Sequence, residues 1–142
     1  MATDRIIVQS SVAENFLKIA KDNMAKSSKE MPLPKMVSLE SKTRLGDLLS
    51  EAMSQGATVA FGGSGSEGLP GTAFIPTILE DVSVSTQLEK EESFGPVVSI
   101  ARVNSEEEAV ALANSSAYGL SASIFTKDLR KGLAIAKKIE SG

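Results

Sequence analysis

Glu91 and Glu92 are adjacent carboxylates that lead through Ser93 into the ring of Phe94, a Gly95-Pro96 turn and the β-branched pair Val97-Val98. Gly95 lets the backbone pass close to a neighbour or a ligand, and Pro96 fixes the direction of exit from the turn. A carboxylate and an aromatic ring two residues apart, held this way, could face one bound molecule together. By themselves the same residues also fit a solvated acidic turn before a strand. Histidine and cysteine are both absent from the 142 residues. Disulfides, Cys/His zinc sites, thiol nucleophiles and imidazole bases are thereby excluded within this chain. No metal-ligating set is expected.

The elements that must position this stretch follow from pattern. A strand is expected over 5–9, then a helix from Ser11 to about Ser27, with capping-box spacing at Ser11 and Glu14. Its apolar residues Phe16, Leu17, Ala20 and Met24 fall on one face. Pro32 and Pro34 make 28–37 a connecting loop. Ser38 opens a second helix with Leu45, Leu48, Leu49 and Ala52 at helical spacing, and Gly56 stops it. A short strand covers 57–61, and the glycine-rich stretch 62–71 reads as a flexible surface loop. No Lys-Ser/Thr and no helix follow the glycines, as a phosphate cradle would require.

Residues 74–79 read as a strand, with Pro76 pointing to an edge position or a bulge. A further strand spans 97–103, and Ser105 caps a helix to about Asn114 whose acids suit the positive end of its dipole. A final strand is expected over 120–126. The last helix starts near Asp128 and turns Leu129, Leu133, Ala136 and Ile139 or Ile135 inward. Alternating strands and helices give a three-layer α/β architecture with a mainly parallel sheet and flanking helices. Residues 1–142 read as one domain, with no internal repeat and no linker.

A length of 142 residues suffices for a sizeable core, and 4% aromatics without tryptophan make that core aliphatic. The net charge of -3 carries no basic footprint for nucleic acid and no polybasic membrane signal. No apolar run reaches the length of a membrane span and no leader pattern opens the chain, so a soluble cytoplasmic protein is expected.

Taken together, Pro76-Thr77-Ile78-Leu79, Asp81-Val82, Glu91-Glu92-Ser93-Phe94-Gly95-Pro96-Val97, Glu107-Glu108-Ala109, Ala113-Asn114, Tyr118-Gly119-Leu120-Ser121-Ala122 and Phe125-Thr126-Lys127-Asp128 resemble the catalytic domain of the aldehyde dehydrogenase superfamily. The likeness covers nearly the whole chain. It implies that the Glu-x-Phe-Gly-Pro motif belongs to a cofactor site for NAD or NADP. Glu92 would then hydrogen-bond the nicotinamide ribose, and Phe94 would lie against the nicotinamide end. The chemistry suits them, since a carboxylate accepts from a ribose diol and a ring packs a planar base. Met1-Ala2-Thr3-Asp4-Arg5-Ile6-Ile7-Val8 looks like the family stretch that begins one residue after the nucleophilic cysteine, so the chain resembles a middle segment of a longer enzyme. It departs from the family at Lys29 to Val37, which looks like a shortened replacement for a Gly/Pro-containing element.

In the family, a cysteine thiolate attacks the aldehyde, hydride passes to NAD or NADP, and a glutamate activates water for hydrolysis. By resemblance, the cysteine, that glutamate, the oxyanion-holding asparagine and the cofactor domain all precede the first residue here. The expectation is a truncated family member without dehydrogenase activity and without tight cofactor binding. Two alternatives stay open. One is a repurposed non-redox enzyme (isomerase, cyclase or dehydratase) with Glu92 or Glu91 as base and Lys90, Lys127 or Tyr118 as acid. The other is a subunit completed by a second chain. A small-molecule ligand fits either. Unpaired strand edges and apolar residues such as Ile6, Val8, Leu120, Ile124 and Phe125 also lead to an expected homo-oligomer.

Overall fold

The structure, a computed structural model, describes residues 3–63, 66 and 68–141. Met1, Ala2, Ser64, Gly65, Glu67 and Gly142 lie outside it, which takes in part of the glycine-rich stretch and of the N-terminal family-like stretch. In chain order the elements are β1 (Arg5–Gln9), α1 (Ser10–Glu30), α2 (Leu39–Ser54), β2 (Thr58–Phe61), β3 (Thr77–Glu80), α3 (Gln87–Lys90), β4 (Val97–Val103), α4 (Glu106–Ala113) and α5 (Leu129–Ala136). The four strands form one sheet in the order β1-β4-β3-β2. β4 pairs in parallel with both β1 and β3, and only β2 runs antiparallel, against β3.

Alternation along β4 sends its side chains to two faces, and each face is covered. On one, Ile100 packs with Val8, Ile78 and the α1 residues Ala13 and Leu17. On the other, Val97 joins Leu79, Phe74, Leu88 and the α2 stripe Leu45, Leu48, Leu49 and Ala52. The expected three-layer α/β arrangement with a mainly parallel sheet is present.

Charged side chains tie the layers. Arg5 of β1 meets Glu89 of α3 at 2.6 Å, with side-chain exposures of only 16% and 7%. Arg5 also donates to Leu112 O at 2.9 Å, and Ser99 Oγ donates to Glu89 Oε1 at 2.7 Å. One ion pair therefore links β1, α3, β4 and α4. On the opposite face, Arg102 of β4 bridges Glu80 of β3 at 2.6 Å and Glu14 of α1. Its proton is held above the usual guanidinium range by the hydrogen bond to Glu80 first, then by that to Glu14. Lys131 of α5 pairs with Glu106 of α4, and that hydrogen bond raises its pKa.

Several local expectations give way to tertiary contacts. α1 starts at Ser10, with Gln9 as an N-cap that offers no side-chain bond, and Ser10 Oγ donates to Val103 O at 3.0 Å. The helix also runs on to Glu30, into the segment expected as loop. Phe16 sits at the margin of the buried face, not in it. Pro76 does not mark an edge: β3 is interior, the proline precedes its first residue, and the irregularity falls in β2 between Val59 and Phe61. Residues 120–126 form no strand, and α5 buries none of its side chains; Phe125 is 94% exposed.

Arg5→Ala should leave Glu89 buried without its cation. The expected cost is about 3 kcal/mol, read as a lowered midpoint in urea unfolding.

Candidate functional site

The turn between α3 and β4 is held from α2 and from the residue just ahead of β1. Thr86 caps α3, its hydroxyl accepting from Glu89 N at 3.4 Å, and Glu91 N donates to Gln87 O at 2.9 Å. Arg44 of α2 then takes hold of the next three residues. Its Nη2 donates to Glu91 Oε2 at 2.8 Å and to Glu92 O at 3.0 Å, and its Nη1 reaches Ser93 O at 3.4 Å. Ser93 is buried, and its hydroxyl donates to Asp4 Oδ1 just ahead of β1.

Gly95 settles against α2. A Cβ there would lie 2.3 Å from Leu45 Cδ2 and 3.0 Å from Met36 Cε. A Cβ here would have to displace the ends of the buried Leu45 and Met36 side chains, so the glycine fits a protein neighbour, with no positive φ involved. Pro96 then accepts from Thr77 N at 2.9 Å, which sets β4 in register beside β3.

Between these anchors Phe94 has a φ of 49°, left-handed for a bulky residue, and its side chain is 77% exposed. Such a backbone costs on the order of 1–2 kcal/mol, and an exposed ring offsets little of it by packing. Glu92 is half-buried beside it. Among the described residues no hydrogen bond or ion pair engages the Glu92 carboxylate, while its carbonyl is held by Arg44. A carboxylate with its lone pairs open next to a projecting ring suits a ligand that carries hydroxyls and a flat base.

The other residues singled out in the sequence are not gathered here. Glu91 faces Arg44. Lys90 ends α3 and is exposed, Tyr118 lies half exposed after α4, and Lys127 is exposed before α5. None has a hydrogen bond or ion pair to Glu91 or Glu92 among the described residues. A cavity of about 170 Å³ beside the turn is lined by Thr3, Met24, Pro76, Thr77, Gly95, Pro96, Val97 and Val98, so neither Glu92 nor Phe94 opens into it. Among the described residues no cluster of three or more acids could hold a metal, and no helix is long and apolar enough to cross a membrane.

Arg44, Asp4, Arg5 and Glu89 support the turn, and none stands out in the sequence. Arg44 is an ordinary helix-surface arginine 47 residues from Glu91, so only the fold reveals the pairing.

The aldehyde dehydrogenase family model matches residues 1–142. Vanillin dehydrogenase of Pseudomonas fluorescens is 38% identical over 148 residues, covering 100% of this chain and 30% of that protein. Among solved structures, succinic semialdehyde dehydrogenase from Streptococcus pyogenes, in complex with NADP+, superposes with a TM-score of 0.87 at 30% identity, over 98% of this chain and 32% of that one. Betaine aldehyde dehydrogenase from Staphylococcus aureus, in complex with NAD+, gives 0.87 at 31% identity, over 98% and 29%. The chain thus spans about 30% of the length of the relatives it matches.

The strain at Phe94 has a direct signature. In ordinary backbone, alanine is more stable than glycine; here Phe94→Gly should exceed Phe94→Ala by about 1 kcal/mol. Chemical denaturation of the two variants measures the difference, and the usual order would mean that no strain is stored there.

Proposed function

The chain belongs to the aldehyde dehydrogenase family, and from that premise we propose that the turn bearing Glu92 and Phe94 is one end of a nicotinamide dinucleotide site, with no aldehyde oxidation by the 142 residues alone. The observation that carries this reading is the exposed, left-handed Phe94 beside the open carboxylate of Glu92. Strain of that kind persists where the surrounding structure over-determines it, and here Arg44, Asp4 and Leu45 do so.

Glu92 would accept from the ribose hydroxyls, and Phe94 would limit where the nicotinamide end can lie and keep water from it. When bound, NAD or NADP supplies the hydride acceptor of the family reaction. These residues hold and orient; none of them is a nucleophile. The family's covalent step needs a thiolate, and the 142 residues contain no cysteine. Holding one end of a dinucleotide through two side chains also sets little against the roughly 4–15 kcal/mol entropic cost of association.

The exposed apolar residues of 120–126 and α5, with β1 at a sheet edge, support self-association as part of the same reading. Burying a few such side chains, at roughly 1.5–3 kcal/mol each, favours a homo-oligomer over the monomer.

Three measurements test this. Reduced-cofactor absorbance over a panel of aliphatic and aromatic aldehydes should not rise above a buffer blank, and calorimetry should place the dissociation constant for NAD above about 1 mM. Turnover abolished by Glu92→Ala would overturn the absence of aldehyde oxidation, and micromolar binding would contradict the weak affinity and favour a dehydrogenase completed by a second chain. Light scattering coupled to size exclusion, over a hundredfold concentration range, should show dimers or larger species; a monomer throughout would contradict the self-association.

A further inference from the structure

We propose that Arg44 is a positioning residue for this cofactor corner: its guanidinium, spanning the Glu91 carboxylate and the carbonyls of Glu92 and Ser93, holds the turn in the form that presents Glu92 and Phe94 together. The inference rests on the reading of that corner given above.

The turn is fixed firmly at its two ends. Glu91 N is bonded to Gln87 O at 2.9 Å, which continues α3, and the Ser93 hydroxyl is bonded to Asp4. Beyond it, Gly95 is pressed against Leu45. Between these points, the carbonyls of Glu92 and Ser93 are engaged only by Arg44 among the described residues. The Ser93 carbonyl belongs to the peptide unit that leads into Phe94, with its φ of 49°, and the Glu92 carbonyl to the unit before it. Across Phe94, Gly95 N also donates to Ser93 Oγ at 3.4 Å. Without the guanidinium the two carbonyls are free to turn toward water, and Phe94 relaxes toward the extended region that L residues prefer.

The ion pair itself is a small part of this. The Arg44 and Glu91 side chains are 42% and 43% exposed, and such pairs contribute little. The geometry of the fork matters more. Arginine presents several rigid donors in one plane and reaches three acceptors at once, whereas a lysine ammonium at the same place is a point charge on a flexible stem. α2 therefore reads the whole motif with two consecutive residues: Leu45 is the wall against Gly95, and Arg44 is the clamp on the turn before it.

The test compares wild type, Arg44→Ala, Arg44→Lys and Glu92→Ala in the full chain. The conformational readout, taken without cofactor, is the Phe94 ¹³Cα secondary shift, positive for left-handed backbone and negative for extended. The binding readout is saturation transfer to the ribose and nicotinamide protons of NAD+ at several millimolar. Both Arg44 variants are expected to move the Phe94 shift toward extended and to lower saturation transfer about tenfold, as Glu92→Ala does, one decade being the scale of a lost set of charge-assisted contacts. An unchanged Phe94 shift in Arg44→Ala, or wild-type behaviour of Arg44→Lys in both readouts, overturns the clamp. Should Arg44→Ala fail to fold, Arg44→Lys, which keeps the charge and the stem, decides alone. Wild-type transfer in Glu92→Ala, or none in the wild type, overturns the cofactor reading instead, and the Phe94 shift still decides the role of Arg44.

Discussion

β4 enters the middle of the sheet through a gap with no room for a side chain, where Gly95 lies against Leu45 at a separation that a Cβ would reduce to 2.3 Å. Much else depends on that contact. Leu45 continues from it into one core cluster with Leu48, Leu49, Leu79 and Val97. Next along the chain, Pro96 accepts from Thr77 N at the start of the parallel register with β3. The site is the loop left over once this packing is satisfied. Phe94 takes its left-handed backbone between a turn held by Arg44 and Asp4 and a Gly95 packed on Leu45.

The chain separates rigid support from presentation. The groups that hold the turn are mostly buried and mutually satisfied: Arg5 with Glu89, Ser93 with Asp4, Thr86 at the start of α3. Among the described residues no buried side-chain polar atom lacks a partner. Against this background, the left-handed backbone and projecting ring of Phe94 cost stability at the turn, as backbone strain at binding sites does.

How much of this was legible depends on the range of the interactions. The helical stripe Leu45, Leu48, Leu49 and Ala52, the Ser38 and Ser105 caps and the β4 strand are local patterns and appear where the sequence places them. The Ser11 capping box did not form: the helix starts one residue earlier, at Ser10, whose hydroxyl reaches the distant carbonyl of Val103. The inward face expected of α5 and the strand expected at 120–126 failed as well: amphipathic pattern says which side could be buried, and burial still requires something to pack against.

By itself, then, the sequence determined the α/β class and most of the periodic elements, which spacing over a few residues encodes, while the family and the motif carrying Glu92 and Phe94 came from resemblance. Only the tertiary structure decided that Gly95 serves a packing contact, that Glu91 is taken by Arg44 while Glu92 stays open, and that Arg5 and Glu89 join the layers. Those pairs lie 47 and 84 residues apart. A charged side chain on a helix surface looks the same in sequence whether it faces water or a carbonyl brought to it by the fold, so its partner is settled only when the chain has closed around it.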